Sequence, residues 1–349
     1  MVTVVPSHNR ARSGVTLRDI AEKVNLSVSA VSMALHDHPR IGTDTRLRVK
    51  GMAKTLGYVP NSAARALRVR AAGAIAVIVP NTSQHVFGHA YFMHVLTGVT
   101  QVANEKDAQV IISTNPDESH GMAAYERVIR SGSVDGAIVT SAAVQDNNIG
   151  DLVSSGIPVV LVGRFPYFPE AVSVGVDDEA AAFAATEHLI VAHSRTSLLH
   201  LSGPLDHQSA IDRRNGFIAA ADRYGIVAEV VLGDYSEDSG RVAVEAIGTI
   251  RHTVDGIFAA NDEMAFGAMT RLAELGRAVP TQISIIGFDD FGLSRVTSPS
   301  ITTMHVPVEE MARLATERLF GLIAGDTVTP QDAHAILPVT LVERQSCGC

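Results

Sequence analysis

From Ala74 onward the chain alternates between short runs of branched apolar residues and longer segments with helical spacing, and few folds accommodate that pattern. AIAVIVP (74–80), AQVIIST (108–114), DGAIVTS (135–141) and IPVVLVG (157–163) are near-continuous apolar runs, as expected of strands buried on both faces. Between them lie segments with helical periodicity over 91–106, 121–131 and 148–155. A further helix is expected over 179–191, and then the alternation restarts. The second series is SLLHLSG (197–203), helix 209–224, AEVVLGD (228–234), helix 239–251, GIFAAND (256–262), helix 263–274 and ISIIGFDD (283–290). Short connections between strand and helix require parallel strands with helices on both faces, so two similar α/β lobes of doubly wound parallel sheet are predicted. ITTMHVP (301–307), a helix over 308–325 and a last strand in HAILPVTLVER (334–344) are surplus to a simple tandem.

The first 72 residues differ in kind. Thr16 with Asp19 three positions on reads as a capping box, followed by Leu17, Ile20, Ala21 and Val24 on one helical face. Asn25-Leu26 breaks the run, because Asn tolerates a left-handed turn. Ser27 is placed to cap a second helix with Val28, Val31, Ser32 and Leu35 inward and Ser29, Ala30 and Met33 outward. Thr43 is placed to cap a third helix that ends at Gly57. Two short helices joined by a tight turn make a helix-turn-helix, whose second helix enters the major groove. Any small helical domain could carry two amphipathic helices, so charge is the next discriminator.

Net charge is −9, which alone argues against a nucleic-acid partner. Its distribution reverses that. Residues 1–72 hold 12 Lys and Arg against 4 Asp and Glu, and the remainder holds 16 against 33. A basic head on an acidic body puts only the head on phosphates.

The motifs T-L-x-D-I-A, S-x-x-A-V-S-x-A-L, T-R-x-x-V, L-G-Y-x-P-N and A-x-x-L run in order from Thr16 to Leu67. They resemble those of the lactose-repressor (LacI) family of bacterial transcription factors, and the resemblance extends over nearly the whole remaining chain. It implies an N-terminal all-α headpiece with a hinge helix, then a two-lobed effector domain like that of periplasmic binding proteins, with three crossovers between lobes. The expected boundaries are a disordered arm over 1–15, the helix-turn-helix over 16–60 and hinge and linker over 61–73. The N-lobe is expected over 74–192 with 305–335, and the C-lobe over 193–304 with 336–349. The resemblance also implies double-stranded operator DNA, read as a homodimer on a pseudo-palindrome, with a small-molecule effector, a sugar, in the interlobe cleft.

For DNA, Arg18, Ser29 and Met33 are expected at base edges, and Thr16, Ser27, Ser32, Tyr58 and Asn61 at phosphates. Leu17, Val28 and His36 flank them. Ala64 and Leu67 are expected in the hinge, where the family's leucine wedges into the minor groove. The chain departs from the family pattern at Asn25, where Gly is usual, at Met33, where many relatives carry Arg, and at His36, where Asn is common. Met33 offers apolar contact, for instance to a thymine methyl, instead of a guanine-reading fork.

Ligands of open α/β sheets sit beyond the carboxyl ends of strands. There the second lobe offers Arg213 with its neighbours Asp212 and Arg214, Asp234-Tyr235, Asn261-Asp262 and Phe288-Asp289-Asp290. Guanidinium, carboxylate and amide groups beside an aromatic ring suit a sugar, which has many hydroxyls and one apolar face. By position in the family, effector contacts fall on Arg213, Tyr235, Asn261 and Asp289. Arg164 ends a strand of the first lobe, and Tyr91-Phe92 is similar to an aromatic pair that a base-binding member uses. His207 and Asp177 are further candidates, and Asp262 is expected to cap the helix that follows it.

Adjacent carboxylates such as Asp289 and Asp290 point apart and make a poor acid/base pair. No nucleophile elbow, phosphate loop or dinucleotide fingerprint occurs, so neither an enzyme nor a cofactor is expected. The C-x-C pair Cys347 and Cys349 has the donors to chelate a metal or to form a strained disulfide, but it reads as a reduced, exposed tail; no zinc spacing occurs elsewhere, so no metal is expected. No apolar stretch is long enough for a membrane span, and the first residues are too polar for a secretory signal, so a cytoplasmic location is expected. The competing reading is a free-standing sugar-binding protein of the periplasmic type.

Overall fold

A computed structural model describes residues 15–58, 72–117, 122–249 and 253–349. The chain forms two units, Met1–Ala71 and Ala72–Cys349. Residues 1–14 of the arm expected over 1–15, and Asn61, Ala64 and Leu67 of the expected hinge, lie outside the described residues.

In the first unit, α1 (Leu17–Val24) opens on a reciprocal capping box: the Asp19 carboxylate accepts from Thr16 N–H at 2.7 Å, and the Thr16 hydroxyl accepts from Asp19 N–H. Asn25 ends it with φ 52°. Helix α2 (Val28–Leu35) is capped by the Ser27 hydroxyl, which accepts from Ala30 N–H at 3.2 Å. Helix α3 (Thr43–Leu56) stops at Gly57, φ 68°. Its cap is Gly42, with no side-chain bond, so Thr43 is the first helical residue and not the cap. Ile20, Ala21, Val24, Val31, Ala34, Val49 and Ala53 form the core. Val28 corrects the expected inward face: it is 45% exposed, and Ala34 is buried instead. Placed at the amino end of α2, Val28 extends beyond what the other two helices cover.

The second unit holds two six-stranded sheets. The first uses β1 (Ala74–Thr82), β2 (Gln109–Asn115), β3 (Gly136–Thr140), β4 (Val159–Val162), β5 (Val172–Val176) and β11 (His334–Leu337), in the order β11-β5-β4-β3-β1-β2. The second uses β6 (Ser197–Ser202), β7 (Val227–Leu232), β8 (Gly256–Ala259), β9 (Ser284–Asp289), β10 (Thr302–His305) and β12 (Thr340–Val342), in the order β12-β10-β9-β8-β6-β7. All pairings are parallel except β10 with β12. Each sheet reverses direction beside its first strand, and such a switch point opens a crevice at the carboxyl ends.

The first lobe carries α4 (Ser83–Gly88), α5 (Ala90–Glu105), α6 (Ala123–Ser131) and α7 (Asn148–Ser154). The second carries α8 (Asp178–Val191), α9 (Gln208–Tyr224), α10 (Glu237–Glu245), α11 (Asp262–Glu274) and the short α12 (Leu293–Val296). The last helix, α13 (Val308–Ala324), returns to the first lobe. There Gly98 of α5 lies so close that a methyl group would strike the Glu309 carbonyl.

Two boundaries differ from expectation. Helix α8 belongs to the C-lobe, because Gly216 of α9 admits the Glu179 carbonyl where a side chain would stand. The first crossing is therefore near Asp177 and not near 193. The apolar run 334–342 is not one strand: β11 pairs with β5 and β12 with β10. Pro338 lies between them and has no N–H for a ladder, so the third crossing falls at 338–339 instead of 336. The strand Val172–Val176 and the helix Ser83–Gly88 were absent from the sequence reading.

Candidate functional site

In the headpiece, α2 presents Val28 and Ser29 to solvent, with Met33 half-buried beside them. The Ser27 and Ser29 hydroxyls lie 3.1 Å apart at the helix's amino end, where free N–H groups favour an anion. Arg18 and Thr16 are exposed on α1, and Arg18 makes only a surface pair with Glu22 at 3.7 Å. Leu17 and Tyr58 pack against the core, and His36 closes the end of α2 through a 2.7 Å contact of Nδ1 with the Ser32 carbonyl. Ser32 differs from these in being largely buried on the inner side of α2.

In the second unit a cavity of about 140 Å³ lies between the lobes at the carboxyl ends of their strands. All seven residues singled out for an effector line it: Tyr91, Phe92, Arg164, Arg213, Tyr235, Asn261 and Asp289. Arg213 projects from α9 and is buried. Its Nε donates to Asp178 at 2.7 Å, its Nη1 to the Ala260 carbonyl at 2.5 Å, and its Nη2 stands 3.5 Å from Asp289. The guanidinium carbon lies 3.7 Å from the ring centre of Phe288. Burial works against that charge, yet Asp178 and Asp289 hold its pKa above the ordinary value. Burial pushes the Asp289 carboxyl up to about 7, with Arg213 opposing, and it raises Asp178 in the same way.

Asn261 caps α11 by accepting from Met264 N–H at 2.9 Å, so the cap is Asn261 and not Asp262. Its Nδ2 donates to the Tyr235 carbonyl at 2.8 Å and to Glu263 at 2.7 Å. The Tyr235 hydroxyl meets Ser209 at 3.2 Å. Tyr91 reaches Thr140 at 2.9 Å, and burial pushes its hydroxyl up to about 12. Ser141, Tyr235 and Asp289 line the cleft with positive φ of 54°, 69° and 102°. Such conformations cost of order 1–3 kcal/mol each and concentrate where function demands them. Asp290 turns away, accepting from Ser294 at 2.8 Å and Arg344 at 2.7 Å.

Arg164 crosses the cleft to Asp212 at 3.0 Å, and Val144 N–H crosses it to the Asp206 carbonyl at 2.7 Å. His85, His89, His207, Ser209, Asp178 and Glu263 also line the cavity. Of these, His207 was the weaker candidate already named. Ser209 and Glu263 follow strands β6 and β8 just as the recognised residues do, and that placement was available as a signal. His85 lies within α4 and His89 follows its last residue, a short helix whose six residues carry no helical period. Burial holds His85 down to about 4, so it is neutral near pH 7.

Residues 16–61 match the bacterial regulatory proteins of the lacI family, and residues 186–347 match a periplasmic binding protein-like domain. The transcriptional regulator GalS of Salmonella typhimurium is 32% identical over 95% of this chain and 96% of its own. CelR of Thermobifida fusca is 30% identical over 95% and 98%. This chain belongs to the lacI family. It is a transcriptional regulator with a DNA-binding helix-turn-helix, and its relatives are regulators and not enzymes. Among solved structures, the Lac repressor dimer bound to operator and the anti-inducer ONPF aligns with a TM-score of 0.85 at 25% identity, over 96% of this chain and 99% of that one. The CelR–cellobiose complex aligns at 0.73 with 26% identity, over 95% and 99%. The headpiece match sets aside the free-standing binding protein. Among the described residues, no helix is long and apolar enough to cross a membrane.

Replacing Arg213 with Met leaves Asp178 and Asp289 buried without their cation. A buried acid whose folded pKa is raised stabilises the native state at low pH, and that contribution is lost as pH rises through the folded pKa. Arg213→Met should therefore cost about 3–5 kcal/mol at pH 8 and distinctly less at pH 5, where both carboxyls can hold protons. Urea titrations of the second unit at both pH values check this.

Proposed function

We propose that this lacI-family regulator is a cytoplasmic homodimeric repressor whose affinity for a pseudo-palindromic operator changes when a sugar occupies the interlobe cleft. The observation that carries the reading is the cleft's chemistry. A buried guanidinium–carboxylate pair, Arg213 and Asp289, lies with the Asn261 amide beside the aromatic faces of Tyr91, Phe92 and Tyr235. Hydroxyls need acceptors and donors held in fixed geometry, and the apolar face of a pyranose stacks on rings. The CelR relative holds cellobiose in its solved structure, and the Lac repressor was solved as a dimer on its operator. One headpiece reads few base pairs, so pairing two half-sites supplies the affinity.

On the DNA, Arg18, Ser29 and Met33 meet base edges, and Thr16, Ser27 and Tyr58 hold phosphates, with Leu17, Val28 and His36 at the margins. Met33 is the residue that sets this chain's half-site apart from those read by an arginine at that position. Met33→Arg should shift preference towards guanine at one half-site position by about 1–3 kcal/mol, because a guanidinium makes a bidentate contact to its edge. Fluorescence anisotropy over a set of half-site variants measures this, and an unchanged base preference would place Met33 off the bases.

The effector side is tested by titrating a panel of mono- and disaccharides into the operator complex at pH 6 and pH 8. Sugar hydroxyls donate best to an ionised Asp289, which sits near half-ionisation at pH 7. The active sugar should therefore bind roughly tenfold more tightly at pH 8 than at pH 6. A response from no sugar, with full response to a nucleobase or an amino acid, would reassign the ligand class.

A further inference from the structure

The end of the chain is fastened down. Ile285 N–H donates to the Ser346 carbonyl at 2.8 Å, and the Ser346 hydroxyl donates to the Ile285 carbonyl at 2.7 Å. Thr302 N–H donates to the Ser346 hydroxyl at 2.8 Å, and the Ser284 hydroxyl to the Cys347 carbonyl at 2.6 Å. This corrects the expectation of an exposed tail: Cys347 is buried and Cys349 alone is exposed. Gly348 between them has φ 108°, a backbone state that side chains disfavour, and the two thiols converge to 2.8 Å.

Two histidines face the same point. His188 lies in the last turn of α8 and His193 in the connection before β6. Their Nε2 atoms are 3.1 Å apart, and they lie 3.3 Å and 3.4 Å from the Cys349 sulfur. The four donor atoms all fall within 4.8 Å of one another.

We propose that His188, His193, Cys347 and Cys349 form a closed, structural Zn²⁺ site. Two thiolates and two imidazoles are the donor set that selects zinc in tetrahedral geometry. Bond lengths of about 2.3 Å to sulfur and 2.0–2.1 Å to nitrogen place such donors about 3.3–3.8 Å apart. The two imidazole nitrogens already stand at about this separation from the Cys349 sulfur, and the two sulfurs, 2.8 Å apart, need to open by about an ångström. Binding releases the thiol protons, and two thiolates then neutralise the dication. Around the four donors stand groups suited to supporting them. The Glu343 carboxylate lies 4.0 Å from His188 Nδ1, close enough that a small side-chain rotation would let it accept from that nitrogen once Nε2 binds the metal. The Thr302 hydroxyl lies 3.0 Å from the Cys347 sulfur and can donate to a thiolate. Four protein donors leave no open position, so the ion is a clip and not a catalyst. It joins the chain's last residue to the end of α8, at the amino ends of strands β6, β9 and β10. The cleft lies at the carboxyl ends, and the ion leaves it alone.

The test uses untagged full-length protein, reduced, stripped with chelator and desalted. Co²⁺ titration should saturate at one ion per chain, with the strong visible bands of tetrahedral thiolate coordination, and Zn²⁺ should displace it. Zn²⁺ should raise the melting midpoint of the second unit by several degrees. Cys349→Ser and His193→Ala, both at sites with little packing to lose, should weaken Zn²⁺ binding about a hundredfold or more while leaving operator binding intact. Sub-stoichiometric uptake, a weak octahedral cobalt spectrum, or equal Zn²⁺ affinity in the Cys349→Ser protein would overturn the site. So would a Cys347–Cys349 disulfide whose reduced form takes up no metal.

Discussion

The guanidinium of Arg213 lies beneath the cleft with Asp178 on one side, Asp289 on the other, the Ala260 carbonyl ahead and the Phe288 ring against its face. These partners come from three separate segments, Phe288 and Asp289 being neighbours at the end of β9. Asp178 opens the helix after the first crossing, Ala260 follows β8, and Asp289 ends β9. A buried cation is tolerable only when its charge and its donors are met, so the arrangement fixes three chain segments relative to α9. It also leaves Asp289 balanced between charged and neutral at the point where a ligand would touch it. The backbone of Asp289 is held at φ 102°, a strain that the surrounding bonds must offset.

That frame connects to motion through topology. Three crossings join the lobes, near 177, in 306–307 between β10 and α13, and near 338, and the first is one residue from Asp178. Arg164–Asp212 and Val144–Asp206 bridge the lobes directly. A ligand that binds the two lobes together more tightly than apart shifts their equilibrium by that difference and no more. Tyr91 and Phe92 of one lobe and Arg213 and Asp289 of the other line the same cavity, the placement that such a difference requires.

Much of this was legible in the sequence, for identifiable reasons. That Arg213, Tyr235, Asn261 and Asp289 line the cavity was legible because the strands are unambiguous apolar runs, ligands of open α/β sheets sit beyond strand ends, and the family resemblance implies these positions. What was missed has physical causes. Val172–Val176 is short and carries Ser173 and Gly175, so its strand signal is faint. Residues 334–342 read as a single strand because periodicity does not reveal which sheet a strand joins, and only Pro338 hinted at the break. Helix α8 was assigned to the wrong lobe because helical spacing says nothing of the partner, which Gly216 reveals only in three dimensions. Glu263 and Asp178 were missed because a carboxylate in the first turn of a helix reads as dipole compensation. The convergence of two distant histidines on Cys347 and Cys349 has no linear spacing at all.

If Asp289 carries the ligand response without carrying DNA binding, removing its charge separates the two. The direct measurement is operator affinity for wild type and Asp289→Asn, each with and without a saturating amount of the sugar active on wild type. Without sugar the two proteins should bind operator equally, and the sugar-induced change seen in wild type should be lost in Asp289→Asn. A variant that answers the sugar as wild type does would contradict it.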